Sequence, residues 1–181
     1  EQPACHVQNF PVTELEPHPL SHELFGSLGE DQFQALKQDV GERGLLHWLE
    51  ADSKHRIICG SQRLRAIKEL EWPDVDILVH DHLVEEDEIR EHLIRDNTLR
   101  RQLSPAQMYR AGVELERIEK TKAQRRIVEG GNQTPLSPGG DRGKVVDIVA
   151  GAFGISGNTF DRIKKVFESD DEDLKDRVDR G

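Results

Sequence analysis

Hydrophobic residues in the first half of the chain recur with two different periods, which predicts helices alternating with strands. A helix is predicted from about residue 31 to Gly44, because glycine suits a helix end. Its inward face would carry Phe33, Leu36 and Val40. Two short apolar runs follow, Leu45–Glu50 and His55–Cys59, and the polar turn between them predicts a hairpin. Before residue 31 the pattern is weak, although Phe10–Leu15 fits an edge strand.

The same alternation continues to about residue 97. Ser61 can cap a helix that ends near Leu70. Residues 72–80 alternate apolar and polar side chains, which is typical of a strand. A further helix is predicted over residues 85–96. The inward residues of these three elements would be Leu64, Ile67, Leu70, Val75, Ile77, Val79, Ile89 and Leu93.

Beyond residue 97 no strand pattern follows, so the second half of the chain is predicted to be all-α. Ser104 and Gln107 form a capping box, with Pro105 at the first helical position. An apolar stripe extends this helix: Met108, Ala111, Leu115 and Ile118. Residues 129–144 are rich in glycine and predict a loop or linker, and the acidic end shows no clear element. We therefore expect a small domain of helices and strands over 1–97 and an all-α domain over 98–181.

Residues 145–167 have the spacing of a helix-turn-helix. Gly154 suits the tight turn between the two helices, and Ser156 can cap the second one. Each apolar position has a packing role in such a motif: Val149, Ala150, Phe153, Ile155, Phe160 and Ile163. An ordinary helical hairpin is the alternative interpretation.

Charge is distributed unevenly, which changes what the net charge of −10 implies. Residues 1–89 carry 7 basic and 19 acidic side chains, whereas residues 90–166 carry 15 basic and 9 acidic ones. A basic middle can bind phosphates locally although the whole chain is acidic. A solvated helical surface would show the same composition.

The bulk composition excludes some classes of protein. The two cysteines, Cys5 and Cys59, do not make a disulfide framework, so a reducing cytoplasm is the expected location. No apolar run has the length of a membrane span, and no secretory signal pattern is present, so no membrane partner is expected. Because the chain starts at Glu1 and not at Met, we expect a fragment of a longer protein.

The junction at Gly60 is the first candidate for chemistry. A strand ending there and a helix starting at Ser61 would present free backbone N–H groups, which attract anions. Glycine lets a phosphate approach the backbone, and Arg63 and Arg65 add bidentate donors. By itself this stretch is also compatible with a simple turn followed by surface arginines.

Three motifs in order resemble the boxes of the ParB family. Residues 59–70, CGSQRLRAIKEL, are similar to the arginine-rich box, with matches at Gly60, Arg63, Arg65 and Ala66. Residues 96–105, DNTLRRQLSP, are similar to a second box, with matches at Asn97, Arg100 and Leu103. Upstream, Gly44 and Leu45 fit the first box. Ser61 and Gln62 depart from the pattern, which usually has Glu and Arg at these positions.

The resemblance implies an α+β fold: a small ParB/sulfiredoxin-like mixed-sheet domain followed by an all-α helix-turn-helix domain. It also implies a bound nucleoside triphosphate, CTP or ATP, with Mg²⁺. Asn97 would hold the metal with the phosphates, and Asp96 would be the carboxylate associated with hydrolysis. The nucleotide-binding residues implied are Gly44, Leu45, Gly60, Ser61, Gln62, Arg63, Arg65, Asn97 and Arg100.

The second helix of the helix-turn-helix would lie in a major groove of double-stranded DNA. Asn and Arg side chains can read adenine and guanine edges, and lysines suit phosphates. The DNA-binding residues predicted are Ser156, Gly157, Asn158, Thr159, Arg162, Lys164 and Lys165. By resemblance, a homodimer would close as a clamp in plasmid partition, chromosome segregation or transcription control. The dimerisation domain that usually follows is not in this sequence.

Other interpretations carry less support. An enzyme on the same scaffold, either an ATPase or nuclease-like protein or a small-molecule kinase using Asp96, is the main alternative, but a metabolic kinase needs no helix-turn-helix. A weak nucleoside-triphosphatase remains open. Cys59 is expected to be buried and structural, because the reactive cysteine of sulfiredoxin corresponds to Ser61. The histidines show no paired metal-ligand spacing. His80 and His82 bracket Asp81 at the end of the predicted strand and are expected to mark a loop and not a metal site.

Overall fold

The computed structural model describes residues 5–100, 103–129 and 140–180, with side chains for 5–98, 103–125 and 145–180. The chain divides into two compact units, Glu1–Leu93 and Ile94–Gly181. The helix α4 (Glu86–Arg100) begins in the first unit and ends in the second. The predicted domain boundary, after residue 97, lies on the same helix a few residues further along.

The first unit contains a four-stranded mixed sheet. The strands are β1 (Cys5–Pro11), β2 (Leu49–Asp52), β3 (Ile57–Cys59) and β4 (Asp74–His80), in the order β1-β4-β2-β3. β1 is antiparallel to β4, β4 is parallel to β2, and β2 is antiparallel to β3. The remaining elements are a 3₁₀ turn (Val12–Glu14) and the helices α1 (Pro19–Phe25), α2 (Glu30–Arg43) and α3 (Ser61–Glu69).

One face of the sheet packs on α2 and α3 to form the core of this unit. Phe33 and Val40 on α2 and Ile67 on α3 are buried in it, as their helical spacing predicts. The odd-numbered residues of β4 point to this face, so Val75, Ile77 and Val79 are buried. Burial of large apolar side chains supplies the main free energy that holds the sheet and helices together. Ile89 and Leu93 on α4 are also fully buried, as predicted.

Several predicted elements need correction. The edge strand is Cys5–Pro11 and not Phe10–Leu15, and β2 begins at Leu49 and not at Leu45. Helix α1 was not predicted, because its apolar residues are interrupted by polar ones. Ser61 does not cap α3: Gly60 is the N-cap, and Ser61 is the first helical residue.

The second unit is helical in its described part. Beyond the end of α4 it contains α5 (Pro105–Glu129), α6 (Gly140–Ala152), α7 (Gly157–Phe167) and α8 (Glu172–Arg180). The capping box is present, since the backbone N–H of Ser104 donates to Gln107 Oε1 over 3.1 Å. Helix α6 begins inside the predicted linker, and the acidic end of the chain forms α8. Residues 130–139 of that linker lie outside the described residues.

Helix α7 packs closely on α5 through a glycine. A methyl group at Gly112 would lie 2.2 Å from the Phe160 ring, so only glycine fits there. Phe160 is fully buried, and its ring stacks on Phe153 with 6.0 Å between centroids. The close approach fixes where α7 crosses α5. None of the helices in the described part of the chain has the length and apolar character needed to cross a bilayer.

A network of charges joins α4 to the β2–β3 hairpin within the first unit. Glu86 accepts hydrogen bonds from Arg56 at 3.0 Å and from Arg90 at 3.2 Å, and its carboxylate lies 3.0 Å from His18 Nε2. Arg56 also donates to the fully buried Asp52 at 2.7 Å. Burial acts to raise the pKa of Glu86, but Arg56, His18 and Arg90 outweigh it and lower the pKa to about 2.

Glu86→Gln tests this network through acid unfolding. Because the pKa of Glu86 is lowered in the folded protein, its contribution to stability is present above pH 4.5 and is lost as the pH falls towards 2. Near pH 6 the free energy of unfolding of the wild type should exceed that of the variant by on the order of 1 kcal/mol. The difference is small because solvent screens the ion pairs of a partly exposed carboxylate. The gap should close towards pH 2.

Chemical denaturation at several pH values measures this difference. Glu23→Gln, at an exposed position on α1, is the matched control and should run parallel to the wild type. A gap for Glu86→Gln that stays constant between pH 6 and pH 2 would contradict the assignment.

Candidate nucleotide and nucleic-acid sites

Gly60 joins β3 to α3 in a left-handed conformation. Its φ is 96° and its ψ is 27°, a backbone conformation that residues other than glycine rarely adopt. A methyl group at this position would lie 2.7 Å from Leu49 Cδ2 and 2.9 Å from an Arg63 nitrogen. Both the backbone angle and the space around it therefore require glycine at the junction.

The start of α3 has the properties of an anion site. The first backbone N–H groups of a helix, here from Ser61 onwards, have no partner within the helix and carry the positive end of its dipole. The first turn of α3 contains no acidic side chain that would compete for them. The hydrogen bond from Leu64 N to Gly60 O, 2.9 Å long, closes the first helical turn directly on the glycine.

Gln62 lies on this first turn and is 8% exposed. Its Oε1 atom is buried and accepts no hydrogen bond from the protein. A buried acceptor in this state costs free energy, so a donor from a bound molecule would be favoured there.

Arg63 turns back towards the loop that precedes β2. Its guanidinium donates to the carbonyl oxygens of His47 and Trp48, the latter at 3.0 Å, and lies 3.6 Å from Cys59 Sγ. Arg63 thus holds the loop that carries Gly44 and Leu45 against α3. The sequence could not reveal this role, because the acceptors are backbone carbonyls and side-chain identity does not mark them.

Arg65 lies between α2 and α3. Its guanidinium carbon sits 3.6 Å from the centre of the Phe33 ring, and its Nε donates to Glu69 at 3.2 Å. A further ion pair with Glu30 measures 3.7 Å. This geometry favours a helix-bracing role for Arg65 over the predicted phosphate contact.

The other predicted nucleotide residues are placed as follows. Gly44 ends α2 with φ 75°, and Leu45 is half-buried and packs against the core. Asp96 and Asn97 are half-buried on the part of α4 that belongs to the second unit. The side chain of Arg100 lies outside the described residues. A pocket shared by Gly60 and Asn97 therefore stays a prediction.

Helices α6 and α7 are joined by a short turn that presents the start of α7. Gly154 has φ 67°, and the Ser156 hydroxyl accepts a hydrogen bond from Thr159 N at 3.2 Å. Gly157 is half-buried, and a methyl group there would lie 2.4 Å from Asp147 Oδ1, so glycine lets α6 approach. The exposed side chains on and before this helix include Ser156, Asn158, Thr159, Arg162 and Lys165.

Lys164 is placed differently from its neighbours. Its ammonium group donates to both oxygens of Glu116 on α5 at 2.9 Å, and the two side chains are 16% and 8% exposed. The pair holds α7 on α5, which favours a structural role for Lys164 over the predicted phosphate contact. Helical spacing alone does not distinguish Lys164 from the exposed Lys165.

Comparison with known proteins finds a relative in sequence and several solved structures of similar fold. Over 115 residues, or 62% of the chain, the sequence is 30% identical to a probable chromosome-partitioning protein ParB of Helicobacter pylori, and the match spans 38% of that protein. A solved pNOB8-like ParB-N domain superposes on 97% of the chain and 70% of its own length, with a TM-score of 0.64 and 19% identity. No protein-family model matches the chain.

A further similarity is to a C-terminally truncated chromosome-partitioning protein ParB of Caulobacter crescentus, solved in complex with the centromeric parS site. It covers 91% of the chain and 74% of that protein, with a TM-score of 0.52 and 15% identity. At this level of identity the solved structures establish the fold. The predicted α+β fold with a small mixed sheet of the ParB-N type is confirmed.

Two glycine-to-alanine substitutions test the junction. Gly60→Ala should lower the free energy of unfolding by about 1–3 kcal/mol, because alanine is strained at positive φ and its methyl group meets Leu49. Gly41→Ala, on α2 with ordinary contacts to Leu70, should raise stability by roughly 0.5–1 kcal/mol, since alanine favours helix. Urea denaturation measures both, and equal effects at the two positions would contradict the structure.

Proposed function

We propose that this chain is the nucleotide- and DNA-binding part of a ParB-like partition protein. The observation that carries the proposal is the exposed start of α7, held by a tight turn and a serine cap on a helical unit that follows a ParB-N-type fold. The relative from H. pylori and the C. crescentus complex with parS support this assignment of activity.

Helix α7 would enter the major groove with its N-terminal turn towards the bases. Asn158, Thr159 and Arg162 are exposed there, and their side chains can donate to or accept from base edges. Lys165, also exposed, would bind a backbone phosphate. The basic excess of residues 90–166 would attract the duplex despite the acidic remainder of the chain.

A nucleoside triphosphate would bind at the start of α3. The N–H groups from Ser61 onwards would contact phosphate, and Gln62 Oε1 would accept a hydrogen bond from a nucleotide hydroxyl or amino group. Arg63 holds the loop that follows Gly44 and Leu45 beside α3, so these two residues would border the nucleotide. Asn97 would help to hold Mg²⁺, for which a neutral amide oxygen is a suitable ligand. CTP and ATP both fit this description, and Asp96 would serve any hydrolysis.

A homodimer would couple the two sites. By the same resemblance, nucleotide binding in the first unit would favour closure of a dimeric clamp around DNA bound by α7. The chain would then act in plasmid or chromosome partition, or in transcription control by the same DNA-binding helix.

Selection of duplexes from a randomised library tests DNA recognition. The wild type should enrich one sequence, and Arg162→Ala should reduce the preference for it by about 1–3 kcal/mol, because one base-reading side chain is lost. Arg180→Ala, an exposed arginine on α8, removes the same charge and should leave the preference unchanged. Failure of the wild type to bind any duplex at low salt would refute the DNA assignment.

Gln62→Leu tests the nucleotide site with two readouts of opposite sign. Affinity for CTP or ATP in Mg²⁺ should fall about tenfold, which corresponds to one lost hydrogen bond. Stability without nucleotide should be equal to or greater than that of the wild type, because a buried acceptor without a donor is removed.

Calorimetry with each of the four nucleoside triphosphates gives the affinity, and thermal unfolding gives the stability. Gln38→Leu, on the exposed face of α2, is the control for an added apolar side chain. If the wild type binds none of the four, the nucleotide assignment is wrong and a DNA-binding regulator remains.

A further inference from the structure

Three potential metal ligands from separate elements of the first unit converge beside the sheet. Glu50 comes from β2, His80 from the last position of β4, and His92 from α4. One ligand atom from each lies within 4.8 Å of the other two. His80 Nε2 lies 2.9 Å from Glu50 Oε2, and the imidazole rings of His80 and His92 are 4.9 Å apart between centroids.

The sheet register accounts for two of these positions. β2 and β4 are parallel, with Glu50 opposite Leu78 and Asp52 opposite His80. Even-numbered residues on both strands therefore point away from the main core, and Glu50 and His80 are diagonal neighbours on that second face. Helix α4 contributes His92 to the same cluster.

Burial makes this cluster unusual. The His80 side chain is 9% exposed and that of Glu50 is 13% exposed. Carboxylate and imidazole groups are rarely buried together unless they pair with one another or bind a metal. Glu50 and His80 are hydrogen-bonded to each other, and the imidazole of His92 lies beside the same pair, so three potential ligands meet at one buried point.

Cys5 lies against the other nitrogen of the His80 ring. Its sulfur lies 3.3 Å from His80 Nδ1, so the two ring nitrogens face different partners, with Nε2 towards Glu50. A second combination of residues, Cys5, His80 and His82, also brings its ligand atoms within 4.8 Å. Nδ1 and Nε2 of one ring point in different directions and cannot both ligate one ion. Because Cys5 and His82 are exposed, the more enclosed set is the one with Glu50 and His92.

We propose that Glu50, His80 and His92 form a binding site for a divalent first-row transition metal, with Zn²⁺ as the best match. Two imidazoles and one carboxylate are a common ligand set for zinc with one open position. Bonds from zinc to nitrogen or oxygen ligands are about 2.0–2.1 Å long, so two such ligands in a tetrahedral site lie about 3.3 Å apart. The three ligand atoms lie within 4.8 Å of one another, so metal binding would require them to approach one another by side-chain rotation.

The proposed site is distinct from the Mg²⁺ of the proposed nucleotide site. Mg²⁺ prefers oxygen ligands and keeps several waters, so two imidazoles select against it. Cys5 would contact the Nδ1 atom of His80 and so help to orient the ring towards the metal. The spacing in the sequence could not reveal the set, because its members are at positions 50, 80 and 92 and meet only through the sheet.

Titration of the metal-free chain with Zn²⁺ against a chromophoric chelator tests the site without nucleotide or DNA. We expect one tight equivalent, a rise in the unfolding temperature with Zn²⁺, and for Co²⁺ the intense visible absorption of a four-coordinate ion. Glu50→Gln and His92→Ala should each weaken Zn²⁺ binding by at least about tenfold. Removing a residue that only supports a metal ligand already weakens binding by that factor. Mg²⁺ at the same concentrations should not compete.

Control variants separate this ligand set from the exposed set that contains Cys5 and His82. His22→Ala removes an exposed histidine on α1 and should leave the affinity unchanged. Cys5→Ser and His82→Ala should retain the tight equivalent. Circular dichroism of each variant shows whether it is folded, and Glu50→Gln keeps the size of the side chain in case His92→Ala unfolds.

Two results would overturn the proposal. One is wild-type Zn²⁺ affinity no tighter than that of a folded Glu50→Gln variant, which would leave Glu50 and His80 as a buried hydrogen-bonded pair. The other is loss of the tight equivalent on Cys5→Ser or His82→Ala with retention on His92→Ala, which would assign the metal to the exposed set. Neither result depends on whether the chain binds nucleotide.

Discussion

The left-handed backbone at Gly60 is the constraint on which the arrangement around α3 depends. It turns the chain from β3 directly into α3, so the first N–H groups of the helix lie immediately beyond the end of the strand. It also leaves the space that Leu49 and the Arg63 guanidinium occupy. Through Arg63 the same glycine determines the position of the loop after α2, because the guanidinium holds two of its carbonyls. The proposed anion site and the loop that borders it therefore depend on the same glycine.

Polar groups on the second face of the sheet serve a different purpose from the apolar core. Asp52, Arg56 and Glu86 tie α4 to the hairpin, while Glu50 and His80 pair a short distance away. Buried polar groups contribute to stability only when each finds its partner, so they define one arrangement of α4 on the sheet. The apolar face supplies most of the free energy, and the polar face makes the packing of α4 specific.

The apolar periodicity was a good guide where one face of an element is buried. Phe33 and Val40, and the alternation along β4, are placed as their spacing predicts. Periodicity failed for α1 and shifted β2 by four residues, since tertiary pairing and not local pattern decides which short apolar stretch enters a sheet. For the candidate sites, the order of motifs pointed to Gly60 and to the turn before α7. The partners of Arg63, Arg65 and Lys164 lie elsewhere in the chain, and only the folded structure shows them.

Because Gly112 lets α7 pack closely on α5, the buried face of α7 fixes the position of the helix independently of its exposed face. The buried face of that helix, with Phe160 on the glycine and Lys164 on Glu116, determines how the helix is mounted. The opposite face carries Asn158, Arg162 and Lys165, none of which takes part in that mounting. Side chains on the exposed face can therefore be substituted while the buried face keeps the helix packed on α5. An architecture of this kind allows the exposed surface of α7 to change without any change in the contacts that hold the helix on α5.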